Sequence, residues 1–440
     1  MRKLLIFFVA FIAILFCSPF DSLAQNNWPQ WRGPDATGLL LSGNPPIEFG
    51  ENKNVEWKIE LPGKGNSTPI IWENQLFILT AIPTDKTVQV EKSEEGERRG
   101  PRGISTDKVQ SFEVLCIDRN SGETLWQTKV CEEHPADNTH ELGSWASNSP
   151  VTDGEHVWAY FGSRGLYCLD MSGKVLWERD FGEMQKVMSF GEGSSPLLYD
   201  GKLYIVRDHE GDSYMYAVDA KTGQDVWTKP RDEGSSWGTP FLVEVNGQPQ
   251  IIVSATNRIR AYHPDNGDVI WQCGGLTRNV IPQPQVWKNI IYLTSGFRGA
   301  ALLAIDLTKA QGDITGTDAI VWQHDEETPY TPSPLLMDDL FYMLRGNNAS
   351  LSCLKAEDGT VLYTEEKLEG GGNIYASMVG VEDRFYVPCE NGNFFVVKHG
   401  PEFAVIAQNK LEDEFIASPA IIGDKMYVRG RTFLYCLSEK

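Results

Sequence analysis

Seven of the eight cysteines lie after residue 17, yet no two are adjacent and neither a CxxC pair nor a CxxCH site occurs. These absences exclude zinc ribbons, covalent haem and thioredoxin-like redox chemistry, and the odd number argues against a complete disulfide framework. Helical periodicity is almost missing, so bundles and α/β folds are not expected. After the N-terminus no apolar run approaches the length of a membrane helix, so no transmembrane segment is expected. Positive charge is scarce: 39 Lys and Arg stand against 60 Asp and Glu, a net charge of −21. Such an acidic chain lacks the basic footprint that nucleic acid demands. Also missing are a P-loop, a dinucleotide fingerprint, a nucleophile elbow and a metalloprotease helix.

What is present begins with Arg2 and Lys3, an apolar run from Leu4 to Phe16, and the small-x-small site Ser22-Leu23-Ala24. That order predicts a cleavable signal peptide over residues 1–24 and a periplasmic or secreted product. Cys17 follows Phe16, where a lipid-anchor signal requires a small residue, so a lipid anchor is not expected.

The rest reads as strand after strand. The clearest unit runs Ser195 to Tyr199, a turn at Asp200-Gly201, Lys202 to Val206, Tyr214 to Asp219, a turn at Lys221-Thr222-Gly223, then Val226-Trp227. A four-stranded meander cannot bury both faces alone and stacks on copies of itself. Its opening polar-Pro pair recurs at Thr68, Ser149, Ser195, Thr239, Gln283, Ser333 and Ser418, with Ser377-Met378 as the eighth copy. Its third strand recurs at Cys116, Cys168, Ala217, Ala261, Ala304, Cys353, Val396 and Cys436, roughly forty to fifty residues apart, the size of a propeller blade. Both series predict an all-β, eight-bladed propeller over residues 55–440. The last blade ends after three strands, and Val55 to Ile59 is expected to supply the fourth, closing the ring.

The third-to-fourth strand segment has the form Ala217-x-Asp219-x-x-x-Gly223-x-x-x-Trp227, matched from Cys116 to Trp126 and, with His263 at the Asp place, from Ala261 to Trp271. This resembles the tryptophan-docking repeat of the PQQ-like propellers, the quinoprotein alcohol dehydrogenase-like superfamily that also includes outer-membrane assembly propellers. The copy ending at Trp177 is one residue shorter, Tyr363 replaces the indole in another, an insertion precedes Trp322, and the copy around Val396 is degenerate. Trp28 to Pro34 is similar to the opening of secreted members, which makes residues 25–54 an N-terminal strap. The Trp residues and the Cys residues at the Ala position read as packing groups.

The loops between strands two and three and the approaches to strand one share one end of the meander. They bring Trp145, Glu192, Arg207, His209, Trp237, Arg278, Arg298, Tyr330, Arg345, Asn347, Tyr375, Glu390 and Arg429 to one rim. Arginine beside aromatic rings suits a small organic anion or a protein partner's hot spot. The competing reading is that these arginines balance neighbouring acids. An insertion at 83–110, rich in charge, Gly and Pro, is expected to be a mobile loop. His134, His140 and Glu141 lack a ligand spacing, and no metal site is expected.

The resemblance implies, for its enzymes, pyrroloquinoline quinone, calcium and a disulfide between adjacent cysteines. This chain lacks the adjacent cysteines, and Glu192 and Trp237 are the nearest candidates for cofactor contacts. A non-catalytic binding or scaffold role, with no cofactor and with a place beside the outer membrane implied by the resemblance, is therefore expected. A quinoprotein dehydrogenase and a binder of an organic anion or polysaccharide are the alternatives.

Overall fold

Short runs rich in Val, Ile, Leu, Tyr and Phe, interrupted by Asp-Gly and Asn-Gly turns, form antiparallel ladders because alternate side chains then face two neighbouring sheets. In the computed structural model, which describes residues 27–89 and 103–439, these ladders make eight sheets. Each is one blade. The third blade comprises Leu197–Tyr199, Lys202–Arg207, Ser213–Asp219 and Asp225–Arg231, in chain order. The eight third-strand positions from Cys116 to Cys436 are all 0 % exposed. They are small because the flanking sheets leave no room there. The expected signal peptide lies outside the described residues.

Two sets of contacts join one blade to the next. Near the axis, the backbone amide of the opening polar residue donates to the hydroxyl at the same position in the following blade. Thr68 donates to Ser149, Ser149 to Ser195 and Ser195 to Thr239, and then Gln283 to Ser333, Ser333 to Ser377 and Ser377 to Ser418, all at 2.9–3.1 Å. Near the outside, each indole reaches the next blade's turn. Trp57, Trp126, Trp177, Trp227 and Trp322 donate to the carbonyls of Arg119, Met171, Ala220, Pro264 and Ala356 at 2.8–3.2 Å. Each ring also lies on a glycine of that turn, where a β-carbon would come within 2.6–2.9 Å of it. The turn needs glycine twice over, for this contact and for a φ of +70° to +87°.

The departures from the repeat have local causes. The insertion before Trp322 adds Gly312–Asp313 as a parallel strand beside Val269–Cys273 of the preceding blade. It covers Trp271, whose indole turns to Gln250 Oε1 instead. The blade around Val396 has no docking indole because the strap occupies its outer edge. Phe49 packs on the Phe394 ring at 5.4 Å, and Asn409 bonds the backbone of Phe49 and Ile47. The strap then becomes Val55–Glu60, which pairs with Phe433–Ser438 as the outer strand of the last blade.

Earlier in the strap, Trp28 pairs with Ile71 and Leu39–Leu40 runs parallel to Val379–Val381, both innermost strands. Between them the chain loops into the axis from the face bearing the turns of strands one and two. Arg32 is 0 % exposed there and donates to the carbonyls of Thr37 and Pro334. Burial without a carboxylate pushes its pKa down to about 9.

The expected loop at 83–110 is shorter than its composition suggests. Pro83 pairs with Gln110 and Thr87 with Lys108, because the long second and third strands carry the ladder past the sheet; residues 90–102 lie outside the described residues.

Replacing Trp227 by Ala is expected to cost about 3–5 kcal/mol, the range for a large buried aromatic. Gly223→Ala, which meets Trp177, should lower the melting temperature as well. An unchanged thermal midpoint for either variant would remove the docking argument.

Candidate functional site

The residue two places before each opening polar residue faces the axis, as the two-residue period of an extended chain requires. The eight positions are Asn66, Ser147, Gly193, Trp237, Ile281, Thr331, Tyr375 and Ile416, and all line an axial cavity. The cavity has two levels. The upper chamber, 260 Å³, opens on the loop-rich face and is walled mainly by Phe190, Trp237, Phe297, Tyr330 and Tyr375 with Ile281 and Ile416. The lower chamber, 200 Å³, is ringed by the hydroxyls of Thr68, Ser149, Ser195, Thr239, Ser377 and Ser418 and reaches Trp31 of the strap. Several of these oxygens already accept a neighbouring amide, which leaves each with a hydroxyl proton and one lone pair.

The walls are held from behind. The Trp237 indole donates to Gly191 O at 2.8 Å, and Lys186 Nζ lies 5.0 Å from its ring centre. Lys186 is buried and donates to the carbonyls of Asp208 and Ser236. Desolvation pushes its pKa down to about 8, against the pull of Asp208. Beneath it, Asp208 forms a fully buried pair with Arg231 and accepts Ser236 Oγ at 2.6 Å. Glu192 accepts both the amide and the hydroxyl of Ser163, while burial raises its carboxyl pKa. Phe297 and Tyr330 stack at 5.0 Å.

Of the residues expected at the rim, Trp237, Tyr330, Asn347 and Tyr375 meet in the upper chamber and Glu192 borders the lower one. Trp145 lies in a side cleft with Arg164 and donates to Asp137 O. Arg207 and Arg429 do not belong to the rim. They are 4 % and 2 % exposed. Arg207 donates to the carbonyls of Phe181 and Gly182, and Arg429 to Ser67 and Leu79. Both sit at the last residue of a second strand, where the long side chain folds back into the gap between blades. His209 is held by backbone, with Nε2 at Asp212 O and Nδ1 accepting the amides of Gly211 and Gln185. Glu390 accepts from Asn373, and Arg345 pairs with Glu327 and Glu365, the charge-balancing role. Arg278 and Arg298 are exposed beside Phe297. The aliphatic wall residues Ile281 and Ile416, and Phe190 and Phe297, were not anticipated. The spacing of two before the polar-Pro pair would have found the first two.

Pyrroloquinoline quinone is a planar tricarboxylate, and carboxylates in such a cavity need cations or a metal opposite them. Among the described residues, no Lys or Arg lines the interior of either chamber, His140 is the one titratable base on the wall, Arg278 and Arg298 stand outside it beside Phe297, and the bordering carboxylate, Glu192, is turned to Ser163. These residues do not fit that group, and no chemical step follows from it. Asp153, Glu155 and His156 bring three ligand-type atoms within 4.8 Å of one another, but at a turn whose amides Asp153 already caps.

Arg207→Ala is expected to cost about 1–3 kcal/mol by leaving buried carbonyls unpaired, whereas Arg298→Ala should leave the unfolding midpoint unchanged. For Lys186 the folded pKa lies below the ordinary 10.5, so between pH 8 and 10.5 the unfolded chain binds more protons. Stability from this group therefore rises with pH through that window. The advantage of the native chain over Lys186→Met should grow by about 1 kcal/mol or more across it in urea unfolding; a constant difference would contradict the assignment.

Comparison with known proteins gives a consistent picture of the architecture. A stretch of the quinoprotein ethanol dehydrogenase of Pseudomonas putida is 26% identical over 132 residues, 28% of this chain and 20% of that protein. The chain thus matches only about a fifth of that relative's length. Among solved structures, BamB from Moraxella catarrhalis is similar with a TM-score of 0.53 at 15% identity, covering 82% of this chain and 98% of that one. A europium-containing methanol dehydrogenase is similar with a TM-score of 0.65 at 12% identity, covering 95% of this chain and 100% of that one. At such identities these likenesses carry the fold alone. The family described as outer membrane protein assembly factor BamB matches residues 110–365, more than half of the sequence, and the chain belongs to that family.

Proposed function

We propose that this protein is a non-catalytic binding propeller, exported from the cytoplasm, which holds a partner protein against the loop-rich face around its axial cavity. The observation that carries this reading is the chemistry of the cavity wall. It is mainly aromatic and aliphatic above, with His140 and Asn347 among its polar members, and hydroxylic below, and among the described residues no Lys or Arg lies inside it to hold the carboxylates of an enclosed quinone. A rigid ring of eight blades presenting loops on one face is suited to broad recognition, because the scaffold keeps the loops in place without ordering cost. The family's description names outer-membrane assembly, and the leader-like N-terminus agrees with a role beside that membrane.

The test is a calorimetric titration of the purified full chain with pyrroloquinoline quinone and calcium, followed by dye-linked oxidation of ethanol. No saturable heat and no turnover are expected. Submicromolar binding accompanied by turnover would make the protein a quinoprotein dehydrogenase instead.

A further inference from the structure

We infer that the upper chamber takes one bulky apolar side chain from an acidic segment of a partner protein, with carboxylates flanking that side chain meeting Arg278 and Arg298. This inference rests on the binding reading above and specifies the chemistry of its partner.

The first support is the chamber itself. Its 260 Å³ open on one face and are walled mainly by Phe190, Trp237, Phe297, Tyr330 and Tyr375, the kind of largely aromatic pocket into which a single large anchor residue inserts at an interface. The second is charge. Arg278 and Arg298 are exposed, and among the described residues neither has a carboxylate within ion-pairing distance. Elsewhere Arg164, Arg179, Arg258, Arg345 and Arg431 are all ion-paired, as expected where acids outnumber bases 60 to 39. Two exposed arginines side by side with no carboxylate partner, one of them against Phe297, favour an anion at that point.

The third support is position. The Arg278 backbone pairs with Phe297, and the Arg298 guanidinium lies 5.3 Å from the Phe297 ring centre. Phe297 stacks on Tyr330, and both are walls of the chamber; Ile281, three residues after Arg278, is another. The two cations therefore sit at the lip of the chamber, in one sector, within reach of residues adjacent to an inserted anchor. Guanidinium suits this place because it binds carboxylate in two parallel bonds while lying flat on a ring.

The experiment pans a phage library of random dodecapeptides against the immobilised full chain and measures the recovered peptides by calorimetry. The expected sequences carry Phe, Trp, Tyr or Leu within a few residues of Asp or Glu. Binding of such a peptide should fall about tenfold or more in Arg278→Glu/Arg298→Glu, fall again in Trp237→Ala, and weaken as NaCl is raised. Arg278→Gln/Arg298→Gln, checked by its melting midpoint, serves should the reversal not fold. Basic or featureless recovered sequences, or binding indifferent to both arginine variants, would overturn the proposal while leaving the binding reading intact. Phenylacetate binding as tightly as the peptides would make the ligand a small organic anion and overturn it too. Quinone binding in the titration described above is the separate result that would remove the underlying reading.

Discussion

What holds this molecule together is the way one sheet is fastened to the next, at two radii. Close to the axis an amide reaches a neighbouring hydroxyl; far from it an indole covers a neighbouring glycine and bonds a neighbouring carbonyl. A sheet pinned at only one radius would swing about the pin. Pinned at both, as four of the eight junctions are, it is held at a fixed angle. The inner fastening also decides what the axis can contain, since it consumes backbone amides and leaves hydroxyls, able to donate and to accept once more, around the cavity. Site and scaffold are in this sense made by the same residues.

The architecture was legible because the fastening residues leave marks of fixed spacing in the chain. The polar-Pro pair and the Ala-or-Cys, Asp, Gly, Trp series are the two fastenings written linearly, and each counts the blades independently. The degenerate copy near Val396 was legible only as an irregularity, and Trp271 reads in the chain as an ordinary docking copy although its indole turns to Gln250. Their causes, a strap segment and a parallel strand from the next blade, come from residues far away in sequence, and no local pattern reports such pairings.

The site was read with less success, for a definable reason. Placing residues on the right end of the blade required only the strand order, and Trp237, Tyr330, Asn347 and Tyr375 do converge. Separating Arg278 and Arg298 from Arg207 and Arg429 required knowing which side chains turn inward. All four look alike as arginines in or beside hairpin loops. Two fold back and satisfy carbonyls between blades, and two remain in solvent. Composition cannot distinguish them, because the difference lies in whether the neighbouring blade offers an unpaired carbonyl.

The strap has a temporal consequence. The neighbouring strand Val55–Glu60 pairs with Phe433–Ser438, so this segment has no partner strand until Phe433–Ser438 has also been made. Contacts of such wide sequence separation form slowly. Until that pairing forms, the sheet of Ala420–Ile422, Lys425–Arg429 and Phe433–Ser438 keeps an unpaired outer edge open to other chains.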